Sequence, residues 1–222
     1  TLLKLTTAYC TFVNGGKLIS PKFIDRIQDS EGNTIFNSEN RECDGCNEIS
    51  YLSDTIPKIK NNFKQIMSKE TAYQMTSILE GTVKRGTAKG LKELNLDLGG
   101  KTGTTNKNTD TWFIGFSSNL VIGVYVGYDE PSSLGKYETG SRTAMPIFKN
   151  FAKNAIKKKN ARPFKIPQGI KMLVVNSKTG ERASYSDESI IIEAFKEKDL
   201  VNNEIQYGNI DYISKENIYK FY

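Results

Sequence analysis

Two neighbouring runs rich in β-branched and aromatic residues constrain the fold more than any other feature of the sequence. The runs are TDTWFIGF, residues 109–116, and LVIGVYVGYDE, residues 120–130, and Ser117-Ser118-Asn119 separates them. Such residues fit the pleated surface of a sheet, and a short polar link typically joins antiparallel neighbours. The sequence therefore predicts two adjacent antiparallel strands, which the glycine- and threonine-rich stretch LGGKTGTT, residues 98–105, precedes.

Three stretches with helical periodicity surround this hairpin. The first covers residues 1–13 and the second residues 68–86, where Ser68 can act as the N-cap. We expect the second helix to bury one face, formed by Ala72, Met75, Leu79 and Val83. We expect Thr143 to cap the third helix. Its predicted apolar stripe consists of Ala144, Phe148, Phe151 and Ala155.

The remaining segments predict strands and loops. Two short runs around Asp29–Asn33 favour a hairpin, and the polar segment 37–60 favours a loop. After Asn160 the chain becomes polar and strand-like, with apolar runs at 171–175 and 190–192. We predict an α+β fold in which helices cover an antiparallel sheet, with the strand that contains Lys101-Thr102-Gly103 at the edge of a cleft.

The composition narrows the chemistry that the chain can perform. The 222 residues include no histidine, so acid–base chemistry falls to lysine, a carboxylate or tyrosine. No apolar run approaches the roughly 18 to 20 residues that cross a bilayer. The net charge is +6, but the lysines are spread along the chain, so we expect a solvated surface and no nucleic-acid partner. A nucleic-acid-binding module is a rival hypothesis that this charge alone supports.

The stretch around Lys101 could bind a phosphate, bind a carboxylate or simply form a turn. A P-loop requires G-x-x-x-x-G-K-[ST], but Asn95 occupies the first glycine position and a strand follows where a helix should. A carboxylate fits better, because a lysine ammonium and threonine hydroxyls can all donate hydrogen bonds to it. The motif alone is not specific, since Lys178-Thr179-Gly180 repeats it in a predicted polar turn.

The sequence around this motif resembles the transpeptidase domain of class A penicillin-binding proteins, and most nearly the bifunctional 1A type of Gram-negative bacteria. GGKTGTT, Asn108, Asp110, WFIGF and VIGVYVGYDEP carry the resemblance, together with TLLKLTTAYCTFVNGG, LEGTVKRGTA and TAMPIFKNF. It covers most of residues 1–159, which we expect to be the C-terminal part of the transpeptidase domain. Residues 160–222 are expected to form a strand- and loop-rich C-terminal extension.

The resemblance implies roles for five residues and no cofactor. In this superfamily the motifs are S-x-x-K, S-D-N and K-T-G, and a serine attacks the penultimate D-alanine carbonyl of a peptidoglycan stem. Lys101 would then supply positive potential and the Thr104 amide an oxyanion-hole donor, which makes these two the expected catalytic residues. The expected substrate-binding residues are Thr102, Gly103, Thr104 and Thr105.

The first two motifs of the superfamily have no match in the expected context. Ser133-Leu134-Gly135-Lys136 fits S-x-x-K but follows the K-T-G strand and lies in a predicted loop. Ser117-Ser118-Asn119 fits S-x-N in a predicted turn, and Ser38-Glu39-Asn40 fits it in a polar loop. Because the chain also begins at Thr1 inside a helical pattern, we expect it to be a piece of a longer enzyme, separated from its nucleophile and inactive alone.

The sequence contains three cysteines, which could form a disulfide, stay as free thiols or bind a metal. Cys43 and Cys46 form a C-x-x-C that is either a short-loop disulfide or two free thiols, and with no histidine we expect no metal site. Cys10 falls next to the apolar face of the first helix, which favours a place in the core.

For the parent protein, the resemblance implies a serine D,D-transpeptidase that cross-links peptidoglycan, with a glycosyltransferase domain and a membrane anchor elsewhere in the protein. It would act at the periplasmic face of the bacterial inner membrane. Its expected partners are the D-Ala-D-Ala stem peptide, β-lactams as inhibitors and other cell-wall synthesis proteins. The alternative is a non-catalytic remnant or scaffolding fragment of such an enzyme.

Overall fold

The fold consists of four α-helices and several antiparallel strand pairs in the part of the chain that is described. A computed structural model describes residues 1–38, 41–44, 46, 58–60, 62–184 and 186–202. The helices are α1 (Leu2–Val13), α2 (Lys69–Lys84), α3 (Ala144–Ala155) and α4 (Glu197–Asn202). The strands are β1 (Arg26–Gln28), β2 (Thr34–Asn37), β3 (Cys43–Asp44), β4 (Lys58–Ile59), β5 (Gly99–Thr104), β6 (Asp110–Phe116), β7 (Val121–Gly127), β8 (Ile170–Asn176) and β9 (Ile190–Lys196). This content confirms the predicted α+β class.

The central sheet has three antiparallel strands in the order β5-β6-β7. The predicted hairpin is therefore confirmed as β6 and β7, and the Ser117 amide donates to the Leu120 carbonyl at 2.9 Å in the turn between them. Within the described residues β5 pairs only with β6, so it forms one edge of this sheet. The K-T-G motif lies in this edge strand.

A helix covers each face of the sheet. Residues that pair across antiparallel strands point to the same face, so the register separates the two sides. On one side the Phe113 and Phe148 rings pack edge to face with centroids 4.9 Å apart, and this contact holds α3 on the sheet. On the other side a side chain at Gly123 would collide with Thr6 and Leu2, which places α1 there.

The buried face of α3 differs from the predicted stripe. Ala144, Phe148 and Ala152 are fully buried, whereas Phe151 is 55% exposed and Ala155 is exposed. The contact between helix and sheet follows a ridge of residues four positions apart. This ridge turns by about 40° around the helix axis at each step, so residues that do not follow the turn lie outside the contact. Two residues of the predicted apolar stripe, Phe151 and Ala155, therefore lie outside the buried face of α3.

The α2 helix begins as predicted, because the Ser68 hydroxyl accepts a hydrogen bond from the Thr71 amide. Of its predicted buried face, Ala72, Leu79 and Val83 are buried, and Met75 is half-buried. The C-terminal half of α2 runs beside β5, where the Thr82 hydroxyl donates to the Gly100 carbonyl at 2.6 Å. This hydrogen bond fixes the start of the K-T-G strand against the helix.

The peripheral segments confirm two predictions and correct one. The β1–β2 pair is the hairpin predicted around Asp29–Asn33, and β8–β9 contains both apolar runs of the C-terminal region. Segment 37–60 was predicted as a loop, but β3 and β4 pair within it because a ladder satisfies their backbone groups. Most of its other residues lie outside the described part of the chain. The predicted boundary between residues 159 and 160 stays a prediction.

None of the described helices combines the length and the apolar character that crossing a bilayer requires.

Candidate active site at the edge strand

Lys101 lies on the edge strand with its side chain in solvent. It pairs with Ile114, which pairs with Gly123, so its side chain belongs to the face that α1 covers. Its ammonium donates to the Thr102 carbonyl at 2.7 Å and is not buried against apolar side chains. Since this bond uses one of three ammonium protons, two remain for a ligand at the strand edge.

Thr102 and Thr104 point to the opposite face, and each hydroxyl has a different neighbour. The Thr102 hydroxyl lies 3.3 Å from that of Thr87, and the Thr104 hydroxyl accepts a hydrogen bond from the Gly140 amide at 3.1 Å. An edge strand thus presents an ammonium and two hydroxyls within four residues. All three groups can donate to an anion.

Thr105 belongs to the turn that connects β5 and β6. Its hydroxyl accepts from the Asp110 amide at 2.8 Å and lies 2.8 Å from the Thr109 hydroxyl, and its own amide donates to the Asp110 carbonyl at 3.0 Å. The predicted substrate-binding role of Thr105 stays a prediction, and these contacts give the side chain a structural task in the turn.

An aromatic pair lies beside Gly103 on the Lys101 face. The Trp112 and Tyr125 rings have centroids 4.7 Å apart, and a Cβ at Gly103 would stand 3.2 Å from the Trp112 Cβ. The Tyr125 hydroxyl donates to Asp110 at 2.7 Å, and this hydrogen bond to a carboxylate raises the pKa of Tyr125. Tyr125 therefore remains a neutral donor that ties β7 to the start of β6.

Glu80 is the buried carboxyl group behind the strand. It lies on α2, forms an ion pair with Lys84 at 2.9 Å, and has a side chain only 17% exposed. Burial raises the pKa of Glu80 above its ordinary value, although the neighbouring Lys84 charge lowers it. A side chain at Gly99 would approach the Glu80 backbone, so helix and strand are in close contact here.

The S-x-x-K match has no catalytic geometry. The Ser133 hydroxyl accepts from the Gly135 amide at 3.2 Å within a loop, and the Lys136 ammonium stands 5.6 Å from the centre of the Tyr137 ring. Asn108 holds this loop by donating to the carbonyls of Gly135 and Lys136 at 2.9 and 3.0 Å.

The S-x-N matches and the second K-T-G also fall in turns where the structure describes them. The Ser117 hydroxyl donates to Asn119 at 2.9 Å within the β6–β7 turn. Of the other match, Glu39 and Asn40 lie outside the described residues. In the second K-T-G, the Asn176 side chain accepts from the amides of Lys178 and Thr179, which confirms the predicted turn.

None of the three cysteines belongs to the edge strand. Cys43 and Cys46 are joined by a disulfide, with their Cα atoms 5.6 Å apart. Cys10 is half-buried on α1, and burial raises the pKa of its thiol. A raised pKa disfavours the nucleophilic thiolate.

Sequence reasoning did not assign Thr87 or Gly140 to the site. Thr87 follows the end of α2 in the quoted segment LEGTVKRGTA, and Gly140 lies just before TAMPIFKNF. Both segments are among those that resemble the family, and this resemblance was the sequence signal that could have pointed to the two residues. Their contacts with the strand depend on tertiary packing that spacing does not show.

Comparison with known proteins agrees with this arrangement. Residues 1–153 match the family described as Penicillin binding protein transpeptidase domain. Over 97% of its length the chain is 41% identical to penicillin-binding protein 1A of Rickettsia conorii, and over 77% it is 34% identical to that of Neisseria meningitidis. The chain spans only 28% and 19% of the length of these two relatives.

A solved structure shows the same fold. The crystal structure of penicillin-binding protein 1A from Haemophilus influenzae matches with a TM-score of 0.73 and 32% identity, over 88% of this chain and 32% of that one. The family match covers well over half of the 222 residues, and it includes the edge strand and the helices on both faces of the sheet. The chain belongs to the penicillin-binding protein transpeptidase domain family.

Proposed function

We propose that the chain carries the K-T-G half of a serine D,D-transpeptidase active site in a protein of the penicillin-binding protein 1A type. The Thr102 and Thr104 hydroxyls bind the terminal carboxylate of a D-Ala-D-Ala stem peptide, or the equivalent carboxylate of a β-lactam, and the Lys101 ammonium supplies positive potential for it. Gly103 lets the peptide approach the strand. Thr105 contributes by holding the turn after the strand, since its hydroxyl is engaged there.

The observation that supports this proposal best is the exposed set of donors on an edge strand. Lys101 is exposed, Thr104 is exposed, and Thr102 is half-buried, all on a strand that within the described residues has one paired neighbour. Charge-assisted hydrogen bonds of this kind contribute about 1.5 to 3 kcal/mol each. An extended peptide can lie along such an edge while its carboxylate meets the two threonine hydroxyls and is attracted by the Lys101 charge.

The nucleophilic serine is then supplied by a segment outside this sequence. Its hydroxyl oxygen attacks the penultimate D-alanine carbonyl carbon, the peptide bond to the terminal D-alanine breaks, and that residue leaves as the protonated amine. The Thr104 amide stabilises the oxyanion that forms in this step, a contribution of about 3 to 4 kcal/mol for one such donor. An acceptor amine of a second stem peptide then completes the cross-link.

Membership of the family supports a role for this activity in peptidoglycan synthesis. For the whole protein we propose a bifunctional enzyme that also polymerises glycan strands and works at the periplasmic face of the inner membrane. A disulfide between Cys43 and Cys46 agrees with an oxidising compartment. We propose residues 1–159 as the transpeptidase part and 160–222 as an extension.

Titration of the ¹⁵N-labelled chain with N-acetyl-D-alanyl-D-alanine tests the carboxylate site. We expect amide shifts confined to residues 101–104 and their neighbours. Because the carboxylate carries the interaction, the C-terminal amide of the same dipeptide should bind at least about tenfold more weakly.

Two lysine variants provide the matched comparison. Lys101→Met should weaken binding by about tenfold or more, since it removes a charged donor. Lys178→Met changes the same residue of the second K-T-G motif, in an exposed turn, and should leave binding as in the wild type. Equal binding of acid and amide, or equal loss in both variants, would contradict the proposed site.

A further inference from the structure

The loop before α3 is fastened to the central strand of the sheet. The Thr143 hydroxyl donates to the Thr139 carbonyl at 2.9 Å and lies 2.5 Å from the hydroxyl of Thr111, which is fully buried on β6. Thr143 is the N-cap residue of α3, as predicted, but its side chain forms no capping hydrogen bond, because its hydroxyl is engaged with Thr139 and Thr111. The Met145 amide donates to the Gly140 carbonyl at 2.8 Å, so Gly140 is tied to the first turn of the helix.

Gly140 is in close contact with the backbone of the candidate site. A Cβ there would lie 2.5 Å from the Trp112 carbonyl oxygen and 2.7 Å from the Gly103 carbonyl oxygen. Both atoms belong to paired strands that cannot move aside as a flexible side chain would. Gly140 is therefore held where a larger residue would displace either the loop or the K-T-G strand.

The contact between Gly140 and Thr104 limits the directions in which the threonine proton can point. A hydroxyl has one proton and two lone pairs. The Gly140 amide donates to the Thr104 oxygen at 3.1 Å and so occupies one lone pair. The proton stays available, and the exposed side of the strand is where an acceptor can reach it.

We propose that Gly140 is a positioning residue of the carboxylate site, whose amide orients the Thr104 hydroxyl as a donor to the substrate carboxylate. This inference rests on the proposed function. It assigns Gly140 no contact with the substrate, because its effect passes through Thr104. It explains why a glycine stands 36 residues after Thr104 at a point where the loop meets the strand.

The test uses the full 222-residue chain, with N-acetyl-D-alanyl-D-alanine as the probe. Gly140→Ala should weaken binding about tenfold, the effect expected when one charge-assisted hydrogen bond is lost. The control is Gly90→Ala, where the new Cβ meets only the Met145 methyl carbon at 3.4 Å, so wild-type binding is expected.

A second pair of variants keeps the test decisive if Gly140→Ala does not fold. Thr104→Val removes the acceptor, so the Gly140 amide proton should shift upfield and exchange faster with solvent. Thr104→Ser keeps the hydroxyl and should retain both the wild-type amide signal and the binding that Thr104→Val loses. If Gly140 only filled space, its amide signal would not depend on whether residue 104 has a hydroxyl.

The outcomes separate the inference from the proposed function. If the wild type does not bind the dipeptide, both are overturned. If the wild type binds and Gly140→Ala binds equally well, or if Thr104→Val leaves the Gly140 amide signal unchanged, only the inference is overturned.

Discussion

The adjacent residues Thr104 and Thr105, at the end of β5, have different roles because their hydroxyls contact different partners. Thr104 accepts a single amide hydrogen bond and keeps its proton for the exposed edge, whereas Thr105 is bonded on several sides within the turn. Side-chain chemistry is identical at the two positions. The difference arises from where the strand ends, since Thr105 is the first residue beyond β5.

The largely buried carboxyl group of Glu80 contributes to the pH dependence of the stability of the chain. Its pKa in the folded protein is raised above the ordinary value of 4.5, chiefly by burial. A group of this kind favours folding while it is protonated, so its contribution is fully present below the ordinary value and is lost as pH rises through the folded value. Glu80→Gln has no proton to lose, so its free energy of unfolding relative to the wild type should rise as pH increases from about 4 to 7.

Urea unfolding across this pH range measures the effect. The exposed Glu130→Gln variant also removes one negative charge, and it serves as the control. A difference between Glu80→Gln and the wild type that falls with increasing pH would show that the Lys84 ion pair outweighs burial.

At the scale of single residues, the sequence predicted which residues of the candidate site could donate hydrogen bonds, but it did not predict the contacts that these residues make. Lys101, Thr102 and Thr104 were found through their motif and the resemblance of its surroundings. Thr87 and Gly140 were missed, because each reaches the strand from a distant segment. Sequence spacing carries information on neighbours within one element and little on which loops meet in space.

Elements were predicted more reliably than the faces they bury. The bounds of α1, α2, β6 and β7 agree closely with the periodic patterns, because capping and β-branched residues act locally. The buried face of α3 depends instead on the crossing of helix and sheet. Phe148 fits against Phe113 on the sheet, and Phe151 is left 55% exposed one turn later.

Two phenylalanine substitutions on α3 test this assignment. Phe148→Ala should lower the free energy of unfolding by about 3 to 5 kcal/mol, because it leaves a cavity against Phe113. Phe151→Ala deletes the same atoms at an exposed site and should cost less than about 1 kcal/mol. Thermal and urea unfolding measure both values. Similar losses at the two positions would mean that α3 buries the stripe predicted from the sequence.

At the scale of the whole molecule, described residues after 159 pack on residues within 1–153, the part that matches the transpeptidase domain family. The Phe164 ring lies edge-on to Phe116 with centroids 5.7 Å apart, and the Gln74 side chain on α2 donates to the Ala194 carbonyl on β9 at 3.0 Å. Arg85 at the end of α2 forms an ion pair with Glu193. Residues after 159 therefore support the helix whose Thr82 fixes the start of the K-T-G strand.

The complete catalytic reaction requires groups that the described part of the chain does not bring together. Acylation by a penicillin needs a serine with an adjacent base beside the K-T-G strand. The S-x-x-K match cannot supply this pair, because the Ser133 hydroxyl lies in a loop and the Lys136 ammonium faces Tyr137. We therefore expect the isolated chain to form no covalent adduct with a fluorescent penicillin.

Gel fluorescence and intact mass measure this outcome, with penicillin-binding protein 1A of Haemophilus influenzae as the labelled control. The result should hold at penicillin concentrations that saturate the control, because a missing nucleophile cannot be compensated by occupancy. Reversible binding of the dipeptide probe to the same preparation would show that the edge strand is intact while the reaction is absent. An adduct at Ser133, or at any other serine, would instead mean that this chain contains its own nucleophile and that the division of the active site proposed above is wrong.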